Sequence, residues 1–262
     1  MIKLTLAVVC ATAATMMAAE SSPEKNKKTD ASTANELYEM RVYYATEGKL
    51  DALHARFRDH TVKLFEKHGI KNVGYFVPEG ENPERKLIYF IKHKDKAARG
   101  ASFKSFGADP EWQKAVKASE ANGKLVAKID EVFLTTTDYS PTPKIEQKGG
   151  RVFELRTYTT PEGKLENLNA RFRNHTLKLF EKHGMENVIY WTKAPDQKDA
   201  NTTLIYLLAH KDKDAAKKSF DAFRQDPAWL KAKTESEKDG SLTVQGGVKS
   251  EILVPTDYSP LK

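Results

Sequence analysis

The stretch GKLDALHARFRDHTVKLFEKHG, from Gly48 to Gly69, decides the fold because the chain contains it twice. A second copy, GKLENLNARFRNHTLKLFEKHG, runs from Gly163 to Gly184 and differs at only five of the 22 positions. At about 100° per residue, the leucines and phenylalanines of each copy form one apolar stripe, which predicts an amphipathic helix ending at a glycine. The 262 residues therefore contain two copies of one structural unit.

Strand patterns surround both helices in the same order. The units open with Tyr38–Tyr43 (YEMRVY) and Phe153–Tyr158 (FELRTY), which alternate with a period of two. Two strand patterns, a second helical region and a last strand follow each helix. Within that region, Asp109 and Asp226, each followed by proline, predict the start of a further helix. The segments are 72–77, 86–91, 95–106 and 125–134 in the first unit, and 187–192, 203–208, 212–223 and 242–254 in the second. Each unit therefore has the ferredoxin-like order β-α-β-β-α-β.

The repeats and their flanks divide the chain into five predicted segments. These are a signal peptide at 1–19, a disordered linker at 20–36, the first repeat at 37–141, a linker at 142–151 and the second repeat at 152–262. The first segment has one basic residue, Lys3, before a short apolar run that small residues close, which is typical of a secretory signal. We expect cleavage after Ala18 or Ala19 and export to the periplasm or beyond.

Composition narrows the classes of function. The formal net charge of +7 favours anionic partners, but lysines interleave with acidic residues, as in Lys63–Lys67 (KLFEK), which is typical of a solvated helix face. We therefore expect no nucleic-acid binding. No segment after the signal peptide approaches the ~20 apolar residues of a membrane span. The only cysteine is Cys10, inside the predicted signal peptide, so a metal site in the repeats would need histidines and carboxylates.

Several motifs together resemble the NIPSNAP family. They are ELRTY at 154–158, FRxHT and LFEKHG on the repeated helix, IYW on the second strand of the second repeat, and DPxW after the second helical region. The resemblance covers about 37–141 and 152–261 and matches a tandem, exported bacterial form of the family. It implies the dimeric α/β-barrel superfamily, so we expect an α+β fold in which two ferredoxin-like units form an intramolecular barrel, a pseudo-dimer within one chain. It implies little about activity, because that superfamily hosts enzymes, haem-binding proteins and pure binding modules.

The polar face of the first strand of each repeat is the leading candidate for a ligand site. It presents Glu39, Arg41 and Tyr43 in one repeat and the same residue types at 154, 156 and 158 in the other. If the apolar face packs on the helices, this polar face points into the barrel. There, Arg41, Tyr43, Arg156 and Tyr158 would orient a carboxylate or an enolate-like group. The alternative is a set of ion pairs that only stabilises the fold.

Other residues extend this candidate site. His60 and His175, predicted at the edge of the apolar stripe, are the candidate general bases, with a structural role as the alternative. Tyr75 and Tyr190 are the aromatic residues that we expect to line a pocket. No close histidine pair predicts a metal site. We expect no cofactor, although a haem, which needs one axial histidine and an apolar pocket, stays open as an alternative.

Two hypotheses of function follow, and they belong to different classes. The first is a small-molecule binding protein, or a cofactor-independent enzyme, with its site in the barrel cavity. The second is a non-catalytic interaction module, whose charged helices bind another protein or the cell envelope. The sequence does not identify a substrate, a reaction, or any further association of chains.

Overall fold

A computed structural model describes residues 36–262. The predicted signal peptide and nearly all of the first linker lie outside the described residues. Within 36–262, no helix combines the length and the apolar character that crossing a membrane requires.

Both repeats have the predicted order of elements. The first comprises β1 (Leu37–Ala45), α1 (Leu50–Arg56), a π-helical turn (Phe57–Thr61), α2 (Val62–Lys67), β2 (Lys71–Pro78), β3 (Lys86–His93), α3 (Lys96–Ala108), α4 (Pro110–Ser119) and β4 (Val126–Thr136). The second comprises β5 (Val152–Thr159), α5 (Leu165–Arg171), a π-helical turn (Phe172–Thr176), α6 (Leu177–Lys182), β6 (Glu186–Lys193), β7 (Thr203–His210), α7 (Lys213–Gln225), α8 (Pro227–Ser236) and β8 (Val248–Pro255). The predicted helix starts are confirmed, since the Asp109 and Asp226 side chains each accept a 2.8 Å hydrogen bond from a first-turn amide.

The eight strands close into one antiparallel barrel. Their order is β1-β3-β2-β8-β5-β7-β6-β4, so each repeat contributes a four-stranded ferredoxin-like sheet. Two seams join the sheets, where β2 pairs with β8 and β4 pairs with β6. The expected α+β architecture is therefore confirmed: two ferredoxin-like units form an intramolecular dimeric α/β barrel.

The barrel interior is apolar and contains side chains from all eight strands. Aromatic rings fill much of it, with Phe90 stacked on Trp191 at a centroid distance of 5.0 Å and Tyr38 edge-on to the same indole. Met40 and Val42 pack against this cluster. The condition on which the barrel-facing site depended, that the apolar face of the first strand packs on the helices, is therefore not met. Both faces of a barrel strand are covered, and here the more apolar one faces inward.

The repeated helix contains a feature that its apolar pattern did not predict. A π-helical turn interrupts it in both copies, at Phe57–Thr61 and Phe172–Thr176. In each turn a buried threonine hydroxyl donates to the carbonyl oxygen five residues earlier, at 3.1 Å for Thr61 and 3.2 Å for Thr176. Such turns recur at functional sites.

Candidate functional site

In the first repeat, the polar face of β1 lies under the helices and forms a closed ionic network. Arg41 donates to Glu39 and, at 2.7 Å, to Glu131 on β4. Arg99 on α3 donates to Glu39 at 3.0 Å and to Glu131 at 3.4 Å. Two guanidinium groups therefore face two carboxylates. The predicted barrel-cavity position of Arg41 and Tyr43 is wrong, and the network matches the ion-pairing alternative.

Burial and charge act in opposite directions on Glu39. Burial by itself raises the pKa of this carboxyl, but the adjacent His93 and Arg99 and the charge of Arg41 outweigh it and lower the pKa to about 2. Glu39 therefore stays ionised in the neutral pH range, and each carboxylate oxygen has a cationic or imidazole neighbour.

The second repeat has a smaller network around Arg156. This arginine donates to Glu154 at 2.5 Å and to the Tyr158 hydroxyl at 3.3 Å. His210 contacts the other oxygen of Glu154 at 3.1 Å. Ser250 stands opposite Arg156 on β8 and donates to Glu154, so no second carboxylate is present at this position. Arg156 and Tyr158 also face the helices rather than the barrel interior, which corrects the prediction for this repeat as well.

A pocket of about 290 Å³ lies between the sheet and the helices of the second repeat. Arg156 and Tyr158 lie on its wall, together with five further aromatic side chains. The aromatic side chains are Phe172, Phe180, Phe220, Phe223 and Trp229. The Arg156 guanidinium lies 4.5 Å from the centroid of the Phe220 ring, within the range of a cation–π contact. The pocket therefore combines an apolar body with one polar, cationic wall.

Charged groups at the rim of the pocket add positive charge. Arg171 and Glu237 neutralise each other through a 2.7 Å ion pair, as their counterparts do in the first repeat. Arg224, which pairs with Asp221 at 2.6 Å, and Lys233 occupy positions where the first repeat has Gly107 and Val116. Burial alone would lower the pKa of Arg156, but Tyr206, Tyr158 and Glu154 outweigh it and hold the pKa above its usual value. The guanidinium therefore remains charged.

The candidate general bases lie elsewhere. His60 and His175 are exposed on the π-helical turns, and neither lies on the wall of this pocket. His175 instead borders a shallow surface groove with Asn174 and Lys238. The predicted common site required these histidines to lie beside Arg41 or Arg156. The structure does not bring them there.

Tyr75 and Tyr190 belong to the packed layer between sheet and helices. Each is fully buried, stacks on the tyrosine of the neighbouring strand and donates its hydroxyl to an asparagine, Asn72 or Asn187. Burial raises the pKa of both phenols well above its usual value. Neither lines the pocket beside Arg156, so the structure gives them a packing role.

Sequence reasoning missed several residues near Arg156. Arg224 and Lys233 on the pocket wall, and Ser250 opposite Arg156 on β8, are absent from the predicted site because each lies at a position where the two repeats differ. The first repeat has Gly107, Val116 and Glu131 at these positions. A comparison of the two repeats, position by position, would therefore have drawn attention to them. No group of three or more histidine, cysteine, aspartate or glutamate side chains suited to a metal occurs within 36–262. The pocket wall contains no histidine that would serve as the axial ligand of a haem.

The NIPSNAP family model matches residues 38–141 and 153–260. Solved structures similar to this one include two provisionally assigned monooxygenases. The protein from Lactobacillus acidophilus is 10% identical, with 84% of this chain and 94% of that chain covered at a TM-score of 0.55. The protein from Fusobacterium nucleatum is 13% identical, with 85% and 93% covered at a TM-score of 0.57. At these identities the likeness shows the fold alone.

A NIPSNAP family protein from Agrobacterium tumefaciens is 20% identical, with 41% of this chain and 98% of that chain covered at a TM-score of 0.37. No curated protein matches this sequence.

Proposed function

This chain belongs to the NIPSNAP family, and on that premise we propose that it binds a small organic molecule in the helix-side pocket of its second repeat. One observation carries the proposal: a cavity of about 290 Å³ has Arg156 and the Tyr158 phenol on a wall that also carries five other aromatic side chains. Small-molecule sites typically combine an apolar lining with a few polar groups that fix orientation. This position replaces the barrel cavity that the sequence suggested, because aromatic side chains occupy the barrel interior.

The second repeat is the better candidate because fewer carboxylates balance the charge of its arginine. Arg41 is shared between two carboxylates, whereas Arg156 has one carboxylate and a phenol. A guanidinium with remaining donor capacity at the end of an apolar pocket would hold and orient a polar group of a bound molecule. The proposal covers binding only.

Two tryptophan variants test the position of the site. Val248 lines the pocket opposite Tyr158, and Ile129 occupies the equivalent register opposite Tyr43 in the first repeat. Both side chains are exposed, at 42% and 44%, so we expect both substitutions to leave the fold intact. Val248→Trp should obstruct the pocket, and Ile129→Trp is its matched control.

The measurement is native mass spectrometry of each purified protein, followed by titration with small aromatic and aliphatic molecules. We expect a bound mass, or saturable binding, on the wild type and on Ile129→Trp, and its loss on Val248→Trp. Undiminished binding to Val248→Trp, or a wild type that carries and binds nothing, would contradict the proposal.

We also propose that the protein is exported. The support is the sequence pattern of residues 1–19 alone, which lies outside the described residues. N-terminal sequencing of the protein from fractionated cells should give a chain that begins at residue 19 or 20 in the extracytoplasmic fraction. An uncleaved chain confined to the cytoplasm would overturn this.

A further inference from the structure

The two repeats contain the same arginine position with different neighbouring residues, so one repeat can be compared directly with the other. Arg41 faces Glu131 across β1 and β4, and Arg156 faces Ser250 across β5 and β8 in the same register. Glu131 extends from this position to hydrogen-bond Arg41 at 2.7 Å. In the first repeat, the chain itself therefore places a carboxylate on the arginine of the β-strand face.

The second repeat leaves the equivalent space open. Ser250 is too short to reach Arg156 as Glu131 reaches Arg41, and Ala216 occupies the position of Arg99. A shallow pocket of about 240 Å³ lies at this place, with Arg156, Ala216 and Ser250 on its wall. Both substitutions shorten a side chain, and together they vacate the volume that a carboxylate and a guanidinium occupy in the first repeat.

Positive charge persists around the open space although Arg99 has no counterpart. Lys217 and Arg224 line this pocket at positions where the first repeat has Gly100 and Gly107, and Lys213 lies beside them. Acidic neighbours offset part of that charge, since Asp221 pairs with Lys217 at 3.2 Å and with Arg224 at 2.6 Å. Glu79 pairs with Lys213 at 3.5 Å, and Glu154 pairs with Arg156. Four cations against three carboxylates leave an excess of one positive charge.

The open space adjoins the aromatic pocket. Arg156, Phe220 and Arg224 lie on the walls of both. A molecule bound across this boundary would place one end among cations and its body against aromatic rings. Planar guanidinium groups bind carboxylates particularly well, because their paired N–H donors match the two oxygens.

We infer that the ligand of the second repeat is a carboxylate with an apolar body, and that its carboxylate takes the place on Arg156 that Glu131 takes on Arg41. This rests on the proposed binding function and adds the chemical class of the ligand. It also implies that the first repeat binds no such ligand, because Glu131 already occupies the equivalent position.

The experiment uses matched acids and amides, with 3-phenylpropanoate and octanoate as the acids and their primary amides as neutral counterparts. Ser250→Glu restores the carboxylate of the first repeat at the equivalent position, where the fold already accommodates it. Gln245→Glu makes the same change of charge in the exposed segment before β8, outside the walls of both pockets, and is the matched control.

Isothermal titration calorimetry on the full chain should show at least one acid binding ten-fold or more tightly than its amide, at one site per chain. Ser250→Glu should remove this preference, and Gln245→Glu should retain it. Circular dichroism of the variants checks that the fold is unchanged.

The other outcomes separate the two proposals. Equal binding of acid and amide would overturn the carboxylate inference and leave the binding function standing. A preference for the acid that survives in Ser250→Glu would place the carboxylate elsewhere and also overturn the inference. Absence of binding by all four probes would overturn the carboxylate inference, while the native mass spectra described above decide the binding function.

Discussion

Arg41 donates a 2.7 Å hydrogen bond to Glu131, a residue that faces it on the neighbouring strand. The same register in the second repeat pairs Arg156 with Ser250. This difference, together with Ala216 at the position of Arg99, separates a repeat in which two carboxylates hold the arginine from a repeat whose arginine borders two pockets. The duplication therefore preserves the fold in both halves, while the polar network under the helices has diverged.

The two carboxylates that hold Arg41 should contribute unequally to stability. Glu39 is fully buried, whereas the Glu131 side chain is 43% exposed. Replacement of one partner in a buried ion pair costs about 3 kcal/mol or more, because the other charge stays buried, whereas an exposed pair contributes under about 1 kcal/mol. We expect Glu39→Gln to lower the free energy of unfolding by about 3 kcal/mol and Glu131→Gln by less than about 1 kcal/mol in urea titrations. Equal losses would contradict this reading of the network.

Acid should destabilise the protein through the same carboxylate. The pKa of Glu39 is about 2 in the folded chain, below the ordinary glutamate value of 4.5 that applies to the unfolded chain, so the ionised form favours folding. This contribution is complete above about pH 4.5 and is lost as the pH falls towards about 2, on the order of 3 kcal/mol in total. Urea titrations between these limits should show a shallower loss of stability for Glu39→Gln than for the wild type. Parallel profiles of stability against pH for the wild type and Glu39→Gln would exclude Glu39 as the source of the acid sensitivity.

Neither repeat should fold as a monomer by itself. The seams β2–β8 and β4–β6 join strands of different repeats, and the interior cluster draws on both sheets. A separate repeat would expose the apolar sheet face that its partner covers, together with two unpaired strand edges. Expression of residues 21–145 should therefore give aggregates, an unfolded chain or a dimer, as judged by size-exclusion chromatography and circular dichroism. A stable soluble monomer would contradict the prediction.

The threonine of each π-helical turn should stabilise that turn. Thr61 is buried and donates to the carbonyl oxygen of Arg56 at 3.1 Å, and Thr176 makes the same contact with Arg171 at 3.2 Å. Valine has nearly the same shape without the hydroxyl, so each Thr→Val substitution should cost about 1 kcal/mol. Thr135→Val, at a part-buried hydroxyl, is a control that we expect to cost less. Thermal unfolding measures all three, and an unchanged stability for Thr61→Val would argue against this role.

The sequence by itself determined the architecture. A 22-residue stretch repeated at a fixed offset, followed by the same strand and helix patterns, specifies two ferredoxin-like units, because local periodicity reports secondary structure directly. The helix starts at Asp109 and Asp226 were predictable for the same local reason, since a capping side chain acts within one turn.

Only the tertiary structure decided where the functional groups lie. Alternation along β1 separates Met40 from Arg41, but it does not say which face points into the barrel, because both faces of a closed, helix-covered sheet are buried. Likewise, the apolar pattern of the repeated helix did not reveal a π-helical turn or show that His60 is exposed. The shallow pocket of about 240 Å³ beside Arg156 depends on Ser250 and Phe220, which are distant in the chain and meet only after the strands and helices pack. Periodicity describes each segment, whereas a site depends on contacts between segments.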